Sequence, residues 1–221
     1  MTQQAGGLIT VRLDVAPEHD AEFNDWYTLE HVPQLTALPG FARTRRYFCD
    51  KADIRYLAWY ETADQDVEAA KDFQHIVANP TPWSQRIMPR LRNFVRGGGR
   101  VVASAGLGQG GVLAALPLDT VPEGEGTGLC RDLAATDRIS AARLLSTDLA
   151  QTSIQTREKG LRRADDSFAG LLLIEGLDEI SVRNALWRLR SLAPEIEARP
   201  VEELPLYALR FNLDRRLLPS S

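Results

Sequence analysis

One histidine in this sequence is placed for proton chemistry. His31 ends the stretch Phe23-Asn24-Asp25-Trp26-Tyr27-Thr28-Leu29-Glu30-His31, where aromatic and acidic residues recur at helical spacing. An imidazole near a helix end and facing a cavity takes or gives a proton near neutral pH, and Glu30 or Asp25 is close enough in sequence to orient it. The competing role is a helix C-terminal cap, where a donor meets free carbonyls. Around His31 the aromatic residues concentrate: Trp26, Tyr27, Trp59, Tyr60 and Trp83 all precede residue 84, and they include three of the four tryptophans. Such rings can stack on a planar substrate or simply fill a core. Trp59 and Tyr60 are neighbours on a strand-like segment, so only one of them can face a given side. Arg12, Arg43 and Arg45 are candidates to hold a carboxylate, phenolate or enolate, because a guanidinium fork matches a planar anion. Asp14 shares the polar face of Thr10 and Arg12. Solvated strand-edge charge is the alternative for these residues. Arg43 and Arg45 fall on one face with Phe41, Tyr47 and Cys49, while alternation turns Arg46 the other way.

Other chemistries find little support. His19 and His75 are not three or four residues from another histidine, and there is no HxxxH or CxxC, so no metal site is expected. A single axial histidine needs no motif, which leaves haem at His31 or His75 as an alternative; otherwise no cofactor is expected. Gly106 to Gly111 formally satisfies GxGxxG, but the next segment, Val112–Leu118, is strand-like and contains Pro117, so the glycines read as a connection and not a nucleotide loop. No GxSxG occurs. A net charge of −4 speaks against general nucleic-acid binding. Apolar runs such as Leu171–Ile174 are too short to span a bilayer, and the N-terminus lacks a signal-peptide pattern. With two isolated cysteines, Cys49 and Cys130, the expectation is a cytoplasmic protein.

The elements that must position these residues can be read from periodicity. Leu8–Val15 alternates as a strand, with Ile9, Val11, Leu13 and Val15 on its apolar face. Pro17 opens a helix that Pro33 interrupts and Leu38-Pro39-Gly40 stops. Phe41–Cys49 and Ile54–Glu61 form a hairpin. Asp64–Val77 reads as one helix, Trp83–Leu91 as a short helical piece, and Phe94–Val102 as a strand. The second half repeats this order more loosely. Val112–Leu118, Ile139–Leu145, Phe168–Glu175 and Leu204–Leu213 are strands, Thr127–Ala135 is a short helix, and Asp178 caps a helix reaching Leu192. Gln151–Asp166 reads as a long hairpin loop. The fold class is therefore α+β: two tandem ferredoxin-like (βαββαβ) modules, residues 1–106 and 107–221, divided in the glycine-rich segment 105–111. Such a sheet has helices on one face only, so the second module would cover the other and close a barrel within one chain.

Phe23-Asn24-Asp25-Trp26-Tyr27, Glu30-His31-Val32-Pro33 and Leu38-Pro39-Gly40-Phe41 together resemble the EthD-like group of dimeric α+β-barrel proteins. Asn79-Pro80-Thr81-Pro82-Trp83 and Arg92-Asn93-Phe94 resemble a branch of the same superfamily. The likeness covers residues 8 to about 102, and the second half has no Glu-His-Val-Pro counterpart. The resemblance implies a small-molecule enzyme acting on an aromatic or enolisable carbonyl compound in a first-module cavity between sheet and helix. His31 would move the proton, and an arginine of the 12/43/45 set would stabilise the enolate or phenolate. Isomerisation, cyclisation, lyase chemistry and cofactor-free oxygenation all fit. A non-catalytic binding or assembly protein is the alternative. The expected partner is a small molecule, not nucleic acid or membrane, and homodimerisation is left open.

Overall fold

The computed structural model describes residues 6–122, 124, 126–153, 157–161, 165–197 and 199–219. The first half runs β1 (Gly7–Asp14), a 3-10 turn, α1 (Asp20–Trp26), a π-helical turn (Tyr27–His31) and α2 (Val32–Thr36). Then come β2 (Phe41–Phe48), β3 (Tyr56–Thr62), α3 (Lys71–Ala78), α4 (Pro82–Ile87) and β4 (Arg92–Gly106). The second half runs β5 (Val112–Leu118), α5 (Gly126–Ala134), β6 (Ile139–Thr147), α6 (Leu149–Ser153), α7 (Arg157–Gly160), β7 (Asp165–Asp166), β8 (Gly170–Gly176), α8 (Glu179–Leu192) and β9 (Leu206–Asp214). Asp178 caps α8, accepting from the Ser181 N–H at 2.8 Å.

The first half contributes strands in the order β4-β1-β3-β2, and the second contributes β9-β5-β8-β6. β2 pairs with β9 and β4 with β6, so eight strands close into a barrel, and the two-residue β7 is appended to β4. β4 makes this closure possible by running for 15 residues: Arg92–Arg100 pairs with β1 and Gly99–Gly106 with β6. It contains the three consecutive glycines 97–99, as expected, and continues past the predicted Val102 to Gly106. A Cβ on Gly97 would meet the Phe168 ring at 2.5 Å, so here glycine admits a close approach and does not mark a break.

Three apolar clusters follow from strand alternation. One lies under the first-half helices (Ile9, Val11, Leu13, Tyr56, Tyr60 with Phe23 and Trp26), and one under the second-half helices (Leu116, Leu144, Ile174 with Val182 and Leu189). The third fills the barrel with residues of both halves, among them Leu8, Tyr47, Trp59, Leu113, Leu173 and Tyr207. The barrel is therefore a packed core and not a channel. No helix among the described residues is long and apolar enough to cross a membrane.

Two local expectations change. Asp64–Val77 is not one helix: a 3-10 turn over Gln65–Ala69 gives way to extended Ala70 (ψ 142°) before α3 begins. The break lets Glu68 turn inward, where it is 5% exposed and pairs with Arg96. The described part of 151–166 is not simply a loop: it carries the end of α6, α7 and β7, while 154–156 and 162–164 lie outside the described residues.

Candidate functional site

The first helix does not stop at Pro33. A proline lacks the N–H and crowds the carbonyl four residues earlier, here that of Leu29. The widened turn Tyr27–His31 absorbs this, and Pro33 then sits in the first turn of α2. The extra residue in the turn places Trp26, Tyr27 and His31 on one wall of a cavity that opens to solvent. The sheet supplies Ile9, Val11, Phe41, Tyr60, Phe94 and Arg96 as the floor, and α3 supplies Phe73, Gln74 and Val77. Glu158 and Lys159 of α7 bring the second half to the rim.

His31 is half-buried and lies against the Trp26 indole, with ring centroids 4.6 Å apart and planes at 24°; the Tyr27 ring is 5.1 Å away. Trp26 is itself fixed: its Nε1–H reaches Glu30 Oε1 and Ser84 Oγ, each at 3.1 Å. Thr81 Oγ1 donates to the same Glu30 oxygen at 2.5 Å, tying α4 to the π turn. Glu30 thus positions Trp26, the surface on which His31 stacks, while Asp25 is exposed. The Tyr60 hydroxyl donates to that of Tyr27 at 2.9 Å. Burial and the neighbouring Tyr27 hold the Tyr60 phenol well above its ordinary pKa, so it stays a donor. At the rim, Arg96 forms an ion pair with Glu68, over the backbone of Gly98.

Of the residues singled out from the sequence, Trp26, Tyr27 and His31 line this cavity. Arg12, Arg43, Arg45 and Trp59 lie on the opposite face of the sheet, inside the barrel. Arg45 is fully buried, reaches Glu175 and Glu61 at 2.5 Å each, and stacks 4.4 Å from the Trp59 ring. Burial alone would lower its pKa, but Glu175, Tyr47 and Glu61 outweigh that and raise it. Arg43 pairs with Asp214 at 2.9 Å and Glu61 at 3.5 Å. Arg12 Nε is buried without a hydrogen-bond partner, and burial lowers the guanidinium's pKa. Asp14 is bound to Arg55 at 2.6 Å, at the end of β1. Trp83, on α4, packs against the first-half core. Phe41 does not share a face with Arg43 and Arg45: a bulge between Phe41 and Arg43 turns it to the cavity, against Tyr60 and Phe73.

Tyr60, one of the aromatic residues noted in the sequence, also lines the cavity, and Arg96, Glu68 and the α7 pair are charged lining residues that the sequence did not single out. Parity was available for Tyr60, which pairs with Ile9 and shares its face. Nothing local points to Glu158 or Lys159, which arrive from a distant part of the chain. His19 lies on the turn before α1, and His75 is exposed on α3. Among the described residues, no group of three or more His, Cys, Asp or Glu is arranged to hold a metal.

The barrel with helices packed outside it defines a class. The chain has the fold of an α+β barrel, with both halves of the barrel in one chain. It is similar to a putative monooxygenase from Fusobacterium nucleatum (TM-score 0.57, 9% identity, 96% of each chain covered). It is also similar to an anthrone oxidase-like protein (TM-score 0.53, 10% identity, covering 97% of this chain and 94% of that one). A third likeness is to a putative chlorite dismutase (TM-score 0.52, 11% identity, 95% and 96% covered). At such identities the likeness is one of fold. No family model matches the chain, and no curated protein matches it.

Proposed function

We propose that the chain is a small-molecule enzyme of EthD-like type, which takes an aromatic or enolisable carbonyl compound into the first-half cavity and moves a proton with His31. The strand orders β4-β1-β3-β2 and β9-β5-β8-β6 support reading residues 1–106 and 107–221 as two ferredoxin-like halves, the first carrying the site. The observation that carries the function is the His31 imidazole, held flat against Trp26 in the wall of an aromatic-lined cavity. Tyr60, Phe41 and Phe73 suit a planar ring system. A carbon acid or phenol bound there gives its proton to the imidazole and becomes an enolate or phenolate. Return of the proton at another carbon completes an isomerisation, and transfer of electrons to molecular oxygen makes the reaction an oxidation. The fold likeness to monooxygenase and anthrone oxidase-like proteins favours the second course. Arg12, Arg43 and Arg45, proposed from the sequence to stabilise the anion, lie on the other face of the sheet, so in this reading an anion in the cavity is stabilised from the cavity side of the sheet.

Oxygen uptake and product formation with a panel of anthrones and polyphenols test this. Wild-type protein turns over at least one of them without added cofactor, and His31→Ala loses about 10²-fold or more, the usual weight of a positioned acid or base. A folded His31→Ala protein with full turnover overturns the mechanism. A Soret band appearing on addition of haemin would replace it with the haem reading.

A further inference from the structure

Arg45 and Arg46 are adjacent on β2 and meet opposite electrostatic fates. Arg45 points into the barrel and finds two carboxylates. Arg46 points to the helix side, is 6% exposed, and finds only neutral partners: Asn24 Oδ1 at 2.8 Å, the Asn24 carbonyl at 3.3 Å and Thr28 Oγ1. Its guanidinium lies 4.5 Å from the Tyr27 ring centroid and 5.5 Å from that of Phe23. Among the described residues no carboxylate forms an ion pair with it. The nearest anion in its network is Asp20, two neutral groups away: Asn24 Nδ2 donates to the Tyr56 hydroxyl at 3.0 Å, which donates to Asp20 at 2.7 Å. Asp20 already has Arg55. In keeping with this, burial pulls the Arg46 pKa down, opposed only by the Tyr27, Tyr60 and Tyr56 hydroxyls.

A buried cation without a counter-ion is costly, and at this depth its field is poorly screened. That field passes through the Tyr27 ring into the wall of the cavity. On the other side of the cavity Arg96 is balanced by Glu68, and, the tyrosines apart, the remaining ionisable groups of the lining are His31 and the rim pair Glu158 and Lys159, which carry one acid and one base. The counter-charge missing from the Arg46 side has a natural source in the ligand.

We propose that Arg46 makes the cavity selective for the anionic form of its ligand, a phenolate, enolate or carboxylate on an aromatic framework, bound at the Tyr27–His31 end. This rests on the cavity being the ligand site. Arg46 acts as a positioning residue, through its field across the Tyr27 ring, and does not touch the ligand itself. Proton removal by His31 is then favoured, because the product of that removal is the species the wall stabilises.

The test compares 4-nitrophenol with its neutral isostere 4-nitrotoluene, by equilibrium dialysis against wild-type, Arg46→Gln and Arg46→Lys proteins, at a pH where the free phenol is ionised. A unit charge roughly 8 Å away in an effective dielectric of about 20 amounts to a ten- to thirtyfold preference for the anion. Arg46→Gln abolishes this preference while 4-nitrotoluene binds as before, and Arg46→Lys keeps most of it. An Arg46→Gln protein that retains the preference, or loses both ligands equally, overturns the proposal. The wild-type protein gives a second measure that needs no variant. Bound 4-nitrophenol, followed by its phenolate absorbance, titrates at lower pH than the free dye, and an unchanged or raised titration overturns the proposal. Wild-type protein that binds both compounds equally refutes anion selectivity and leaves the cavity as a ligand site; protein that binds neither refutes both.

Discussion

Replacing Glu175 by glutamine removes a carboxylate on which both halves of the barrel converge. Glu175 is fully buried on β8. Its Oε1 accepts from Arg45 Nη1 at 2.5 Å and from the Tyr47 hydroxyl at 3.2 Å, both on β2 of the first half. It also accepts from the Gly110 N–H at 3.4 Å, and its Oε2 accepts from Arg143 on β6 of the second half. Glutamine keeps an acceptor oxygen but turns an amide towards one of two guanidinium groups. Arg143 is 22% exposed and can turn to water, and Arg45 retains Glu61, so the loss falls on a single buried contact. Breaking one buried pair costs about 3–5 kcal/mol, and the surviving partners place this case near about 3 kcal/mol. For a chain of this size that corresponds to a fall in Tm of roughly 10 °C, since each kcal/mol shifts it by about 2–4 °C. Urea unfolding followed by tryptophan fluorescence and by circular dichroism gives the value, and the two signals coincide if the closed sheet unfolds as one unit. The double variant Glu175→Met with Arg45→Met regains more than half of the loss, because apolar side chains of similar volume replace the pair. A loss below about 1 kcal/mol for Glu175→Gln would refute the assignment of Glu175 as the link between the halves.

Two further outcomes test the fold around the site. Gly99→Ala would place a Cβ 2.1 Å from the Ser146 carbonyl oxygen, backbone that cannot retreat, so it destabilises by about 3 kcal/mol in thermal denaturation. Gly108→Ala, whose nearest contact is 3.8 Å away, leaves Tm unchanged. Asp214 has its pKa depressed well below the carboxylate range by hydrogen bonds from Arg216 and then from Arg43. A depressed folded-state pKa gives stability that is present above the unfolded value of about 4 and is lost as pH falls through the folded one. Urea midpoints measured from neutral pH downward therefore decline below about pH 4, and Asp214→Asn is less stable at neutral pH with a shallower decline.

Element order and the helix that carries His31 could be read locally. The alternation of Ile9, Val11 and Leu13, the Pro17 start, the Asp178 cap and the motif around His31 are short-range signals, and each appears in the structure where its residues lie. What was not legible depends on partners far along the chain. The run Gly97-Gly98-Gly99 lies inside the strand read from the sequence, but the need for glycine there shows only when Phe168, Glu68 and the Ser146 backbone are brought against it. The same run then becomes the segment where β4 changes partner from β1 to β6. The inward turn of Glu68 needs Arg96, and the rim needs α7.

The arginines of β1 and β2 show a more general difficulty. Alternation says which residues share a face of a strand, but not what that face meets. In an open sheet with one wet side, polarity settles the matter. Here both faces are covered, the outer by helices and the inner by the rest of the barrel, so polar residues on a face no longer mark a cavity. The polar set Arg12, Arg43 and Arg45 was on the barrel side, where Glu61, Glu175 and Asp214 had been supplied for two of its three members. Tyr60, the member of the Trp59–Tyr60 pair that alternation left undecided, and Arg46, which alternation turns away from Arg45, are on the helix side of the sheet. Counting counter-charges separates these cases where polarity cannot. Arg43 and Arg45 have carboxylates in the fold and are engaged in holding it together; among the described residues Arg12 and Arg46 have none, and of these two it is Arg46 that stands beside the cavity, where the proposed anionic ligand would balance it.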